Sequence, residues 1–134
     1  MLEVRNTKKY GRGVFATRDI KAGEIVEKSP VLIFDIWDSN RLAATALNCY
    51  AFNWNDESVA IAFGFGSLLN HSKRENITYD PNLEDKTIDF IALRDIKKGH
   101  QLFINYGYTI ESAIIETKAN REKIIENEKM DITT

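Results

Sequence analysis

The residues of this chain whose types and order could do chemistry are a Gly11-Arg12-Gly13 triplet near the start, an Asn70-His71-Ser72 tripeptide, and Tyr106. Each has a plainer reading when taken alone. The glycine triplet could be a phosphate-cradling loop. It lacks the third glycine or the Lys-Ser/Thr pair that such loops need, so by itself it reads as a tight turn. His71 has no Cys or Asp at metal-ligand spacing, and the second histidine, His100, falls on a polar turn, so no metal site is expected. Tyr106-Gly107 after an apolar run reads as the end of a strand. What makes the three informative is their order. A glycine turn comes first, then Leu69-Asn70-His71-Ser72, then Asn76, and last Phe103-Ile104-Asn105-Tyr106-Gly107.

The elements that must position these residues are mostly short strands. Residues 2–5, 13–16, 24–27 and 31–34 are β-prone stretches broken by glycine or by Ser29-Pro30, and Pro30 biases Ser29 away from helix. Residues 40–50 differ. Ser39 can cap them, and Leu42, Ala46 and Cys49/Tyr50 recur at helical spacing, which predicts a helix. The pattern returns to β over residues 59–65, 77–79, 87–93 and 102–105. One internal repeat joins these stretches: Phe15-Ala16-Thr17-Arg18-Asp19-Ile20-Lys21-Ala22-Gly23 is echoed by Ile91-Ala92-Leu93-Arg94-Asp95-Ile96-Lys97-Lys98-Gly99. Each copy reads as a surface corner between strands. Its Asp bonds the local backbone and its Gly takes a positive φ. Thr109 can cap a C-terminal helix, beyond which the text from Arg121 onward is mostly charged and reads as a frayed or partner-contacting end.

Composition narrows the function classes. At 134 residues the chain is long enough for one buried core but not for two. Its apolar fraction of 43% and charged fraction of 28% are ordinary globular values, not those of a disordered chain. The single Cys49 excludes an internal disulfide and a Cys-only zinc cluster. No apolar run approaches the ~20 residues of a membrane span, and residues 1–5 lack the layout of a signal peptide. A formal charge of −2 provides no footprint for direct nucleic-acid binding and suits a basic partner better. A soluble intracellular protein is expected, in the cytoplasm, the nucleus or a host nucleus.

The order and spacing of the motifs resemble those of the SET-domain protein lysine methyltransferases, over roughly residues 2–109. The resemblance implies a mainly β, β-clip-like fold of several small sheets with short helices. It also implies a knot-like threading in which the segment through Tyr106 passes under the loop before Asn70. It implies a catalytic domain at 1–109 and a tail at 110–134 that covers the substrate channel or contacts a partner. The cofactor would be S-adenosylmethionine, and the substrate a lysine in a protein or peptide, a histone being one candidate. By the same resemblance, Gly11, Arg12, Gly13, Asn70, His71 and Tyr106 would bind the cofactor and Tyr106 would be catalytic, its hydroxyl pointing at the transferring methyl group. Tyr50, Tyr79 and Tyr108 would line the lysine channel, where aromatic rings desolvate the amine's stem and stabilise positive charge.

Departures from the family pattern are specific. The usual Glu-Leu-x-x-Asp-Tyr reads Gln101-Leu102-Phe103-Ile104-Asn105-Tyr106, with both acids replaced by amides. The proline that usually precedes the second Asn is Glu75, and the early Glu-Tyr reads Glu27-Lys28. The cysteine-rich zinc modules that flank many members are missing, so the chain resembles the smallest stand-alone members, of viral or bacterial type. Cover for the channel would come from residues 109–134 or from a second copy in a homodimer. A catalytically inactive module binding lysine-bearing tails is the rival reading.

Overall fold

A computed structural model describes the backbone of residues 1–107 and 110–133, and their side chains except at 110, 111, 113 and 130–133. In chain order it runs β1 (Leu2–Thr7), β2 (Gly11–Ala16), β3 (Ile25–Phe34) and α1 (Ile36–Leu42), then a 3-10 turn at Ala46–Cys49. There follow β4 (Phe52–Asn53), β5 (Val59–Ala62), a second 3-10 turn at Gly64–Leu68, and β6 (Asn70–His71). The remainder is β7 (Ile77–Asn82), β8 (Thr87–Ala92), β9 (Gln101–Ile104) and α2 (Ile110–Thr133). The described residues are thus mainly β, with two α-helices. They form two compact units, Met1–Leu32 with Ile61–Gly107, and Ile33–Ala60 with Tyr108–Thr134.

The first unit holds two sheets. One has the order β1-β2-β9-β6. In the other, β8 lies between β3 and β7, antiparallel to both. Val14, Ile20, Ile77, Ile88, Phe90, Leu102 and Ile104 fill the interior and are almost wholly buried. Each such side chain contributes about 1.5–3 kcal/mol. Asp89, between Ile88 and Phe90 on β8, is buried as well. Burial pushes its carboxyl up, but hydrogen bonds from Thr87 and Asn82, with Lys28 nearby, outweigh this and hold it below the usual carboxylate range.

Three local expectations are corrected here. Pro30 does not interrupt a strand: β3 runs through it, with Ser29 opposite Ile88 and Pro30 opposite Thr87. The proline pushes Ser29 towards extended backbone, which a strand accepts as readily as a loop does. Pro30 still uses its carbonyl, which accepts from the Phe63 amide at 2.9 Å. Gly11 and Gly13 do not form the turn itself. They open β2, and the turn before them is closed by the Thr7 hydroxyl, which accepts from the Tyr10 amide and donates to the Gly11 carbonyl. The aspartates of the repeat bond each other's corner rather than their own. Asp19 Oδ1 accepts from the Lys98 amide and Asp95 Oδ1 from the Ala22 amide, each at 2.9 Å. Ile20 and Ile96 exchange both backbone bonds at 2.8 Å, so the two copies clasp one another about a local pseudo-twofold. Gly23 and Gly99 take φ of +84° and +87° at matching places in this clasp.

In the second unit, the helix expected at residues 40–50 begins earlier and stops earlier. Asp35, not Ser39, caps α1, accepting from the Asp38 amide at 2.9 Å. Thr45 then intercepts the ladder, donating to the Leu42 carbonyl and accepting from the Leu47 amide. The carbonyls of Ala43 and Ala44, which would have carried the helix on, instead accept from Asn120 Nδ2 at 2.9 Å and Arg121 Nε at 3.2 Å of α2. Asn48 Nδ2 adds a bond to Thr117 Oγ1. With these ties, α2 continues as one helix of 24 residues through the charged text. β4 and β5 make a small hairpin, pairing Phe52 with Ala60 and Asn53 with Val59.

Candidate active site

The first unit brings two of the sequence-predicted motifs together at a parallel crossing. β6 pairs with β9, Asn70 opposite Phe103 and His71 opposite Ile104. Parallel neighbours need a long connection. Here it is the β7–β8 hairpin and the second corner of the repeat. Two-residue pairing supplies few ladder bonds, and side chains supply more. Asn76, 8% exposed, donates from Nδ2 to the Gln101 carbonyl at 2.9 Å and accepts the Phe103 amide on Oδ1 at 2.8 Å. Its own amide donates to the Phe103 carbonyl.

This stitching sets Tyr106, just past β9, against residues 69–71. Its backbone amide donates to His71 Nδ1 at 2.9 Å, and its hydroxyl donates to the Leu69 carbonyl at 2.6 Å. The His71 and Tyr106 ring centroids are 5.1 Å apart. Because His71 Nδ1 accepts, a neutral His71 carries its proton on Nε2. The imidazole thereby orients the tyrosine's backbone. The Tyr106 hydroxyl, with its proton committed to Leu69, acts towards any further group as an acceptor.

A second cluster joins β2 to the crossing. Asn70 Nδ2 donates to the Arg12 carbonyl at 2.8 Å and to Gln101 Oε1 at 3.0 Å. A Cβ at residue 13 would stand 2.5 Å from Gln101 Oε1 and 3.1 Å from Asn70 Nδ2, so only glycine admits this amide pair so close to β2. Gly13 is therefore filled over by protein, whereas Gly11, exposed at φ +72°, has open space where a Cβ would be. Arg12 is exposed between them. These groups suit the amino-acid end of S-adenosylmethionine: an acceptor in Asn70 Oδ1 for an ammonium, a cation in Arg12 for a carboxylate, and accessible backbone at Gly11.

The remaining candidates lie on other elements. Tyr79 sits half-buried on β7 with its ring 6.3 Å from that of Phe90. Tyr50, 53% exposed, follows the first 3-10 turn in the second unit. Tyr108 lies outside the described residues. Sequence reasoning did not single out the Leu69 carbonyl, the clamping role of Asn76, or Glu27, which accepts the Phe65 amide at 2.7 Å and so fixes the start of the second 3-10 turn. A backbone carbonyl leaves no trace in residue identity, but the second Asn of the motif was visible. Among the described residues no group of His, Cys, Asp or Glu side chains is placed to hold a metal ion, and no helix is long and apolar enough to cross a membrane.

A mainly β unit with a parallel crossing, in which a tyrosine is tied to an Asn-His strand, defines the class. The SET-domain family model matches residues 11–107, and the chain belongs to that family of protein lysine methyltransferases. Relatives agree. The chain is 36% identical over 107 residues to the histone-lysine N-methyltransferase, H3 lysine-37 specific, of Schizosaccharomyces pombe, covering 79% of this chain and 73% of that protein. It is 31% identical over 118 residues to the N-lysine methyltransferase KMT5A-A of Xenopus laevis, covering 78% of this chain but 35% of that longer protein. Among solved structures, CpSET8 from Cryptosporidium superposes with a TM-score of 0.65 at 22% identity, over 81% of this chain and 58% of that one, a likeness of fold.

Proposed function

We propose that the chain transfers a methyl group from S-adenosylmethionine to the side-chain amine of a lysine in a basic protein, with Tyr106 as the catalytic residue. The observation that carries this reading is the tie of Tyr106 to Leu69 and His71, beside Asn70. When bound, the cofactor supplies an electrophilic methyl on a sulfonium. Transfer would be a displacement in which the amine's lone pair makes the new N–C bond and the electrons of the broken C–S bond stay with sulfur. Lysine is ordinarily protonated, with pKa about 10.4, so the amine must give up a proton to solvent water before attack. The protein's part is alignment and exclusion of water. The Tyr106 hydroxyl oxygen, able to act only as an acceptor, favours positive charge at the reacting centre. Asn70, Arg12 and Gly11 hold the cofactor's amino-acid end, and the backbone of Asn70 and His71 its adenine. The relatives named for histone methylation make a histone tail the first substrate to try. The domain from 1–109 is read as catalytic, and 110–134 as the part kept for substrate or partner contact.

The two amide departures fit this reading better than that of an inactive module. Gln101 Oε1 and Asn105 Oδ1 both act as acceptors, from Asn70 Nδ2 and from the Gly107 amide at 2.8 Å. An acid at either position would do the same work with the same atom.

S-adenosylmethionine at a hundredfold excess over its Kd should stabilise the fold by about 2.7 kcal/mol. For a domain of this size that raises Tm by on the order of 10 °C. ATP and NAD should leave Tm unchanged. Absence of any shift with the cofactor or its demethylated product would sink the assignment.

Tyr79 is assigned to the lysine channel, where its hydroxyl takes space that a methylated amine would need. Wild type should then stop at mono- or dimethyl-lysine, and Tyr79→Phe should move the product towards higher states. Mass spectrometry of a methylated peptide decides this. Identical product distributions for the two proteins would remove Tyr79 from the channel.

A further inference from the structure

We propose that Gln101 is a positioning residue for cofactor binding: it holds the Asn70 amide with its carbonyl oxygen turned outward, ready to accept from the ammonium of the cofactor's amino-acid end. The proposal rests on the cofactor reading above and adds to it a residue that does not itself touch the ligand.

The Arg12 carbonyl is the fixed point of this cluster. A backbone carbonyl only accepts, so the Asn70 atom 2.8 Å from it is the amide nitrogen. That nitrogen has a second proton, and the Gln101 atom 3.0 Å away must be the oxygen that receives it. Both protons of Asn70 Nδ2 are thereby spent on β2 and β9, so the amide can neither flip nor swing without losing two bonds at once. Asn70 Oδ1 meets no donor among the described residues and is left as a directed acceptor. Gly13 completes the device, because any side chain there would push Gln101 Oε1 off Asn70.

This assigns a consequence to the replacement of the usual acid. Glutamine meets the demand with a neutral side chain: one acceptor towards Asn70, and no negative charge beside the place where the cofactor's carboxylate would lie. The requirement at residue 101 is for an acceptor, and charge is secondary.

The test is binding, measured by calorimetry on the full chain with two probes. S-adenosylhomocysteine carries the amino-acid end. 5′-Methylthioadenosine shares the adenosine and the thioether but lacks that end. Gln101→Met keeps the unbranched shape and removes the acceptor. It should weaken S-adenosylhomocysteine about tenfold, the range of one hydrogen bond, and leave methylthioadenosine within about twofold of wild type. Gln101→Glu restores an acceptor and should bind S-adenosylhomocysteine within about threefold of wild type. Equal weakening of both probes by Gln101→Met would reveal a merely structural role and overturn the proposal, as would a tenfold loss in Gln101→Glu. The two variants decide separately, so misfolding of the methionine variant leaves the glutamate one to answer. Wild type that binds neither probe would overturn the cofactor reading itself. Wild type that binds both, with Gln101→Met indistinguishable from it, would remove the role of Gln101 alone.

Discussion

Tyr106→Phe should lower turnover on the order of a hundredfold, the scale of losing one oriented polar group at the reacting centre. Affinity for S-adenosylhomocysteine should change by less than about twofold. The split is expected because the substitution is confined to one oxygen. The contact with His71 is made by the Tyr106 backbone amide, which phenylalanine keeps, and the ring can still pack against the imidazole. What disappears is the donation to the Leu69 carbonyl and, in the proposed reaction, the oxygen that would face the centre where positive charge is rearranged. An interaction that is stronger in the transition state than in the ground state lowers kcat when removed, without lifting the ligand's Kd. Leaving the Leu69 carbonyl without this donor costs about 1 kcal/mol of stability, too little to unfold the chain. Single-turnover rates on a labelled peptide, beside calorimetry on the same protein, separate the two quantities. An undiminished rate would take catalysis away from Tyr106, and Tyr108 would be the next tyrosine to test.

How much of this was legible beforehand depended on where the information lay. The order of glycine triplet, Asn-His-Ser and Asn-Tyr-Gly was written in residue types, and the family followed from it. The alternation of apolar residues marked most strands, to within a few positions. Two of the failures share a cause: a side chain or backbone group found a distant partner in place of a local one. Asp19 and Asp95 have the local sequence of turn residues, yet each bonds the other's corner. Residues 40–50 have helical spacing, yet Thr45 and the side chains of α2 take the bonds a helix would have used. Propensity is a weak prior of just this kind, open to override by tertiary bonding. Gln101 looked like a loss because it lacked a charge. Its value lies in an oxygen that the glycine at residue 13 makes room for, and no reading of either residue alone would pair them.

Asn76 carries the second large effect, on stability rather than turnover. It is buried, and its side chain satisfies the Gln101 carbonyl and the Phe103 amide along one edge of β9. Asn76→Ala leaves both groups without that partner and should destabilise the fold by about 3 kcal/mol, each unsatisfied buried group costing about 1–3 kcal/mol. Asn76→Asp is the more telling change. An ionised Asp can still accept from Phe103, but it cannot donate to Gln101, and it sets a charged oxygen against a carbonyl oxygen. Its neutral form regains the donor, so folding should raise the carboxyl's pKa above the ordinary value of about 3.9. The sign follows from linkage. A group with a raised folded pKa contributes stability that is fully present below the unfolded value and is lost as pH rises through the folded one. The gap between Asn76→Asp and wild type should therefore narrow on acidification from pH 7 towards 4, while the gap for Asn76→Ala stays constant. Urea denaturation of the three proteins across that range reads both trends. Parallel curves for the two variants would mean that the donation to Gln101 is not what Asn76 contributes.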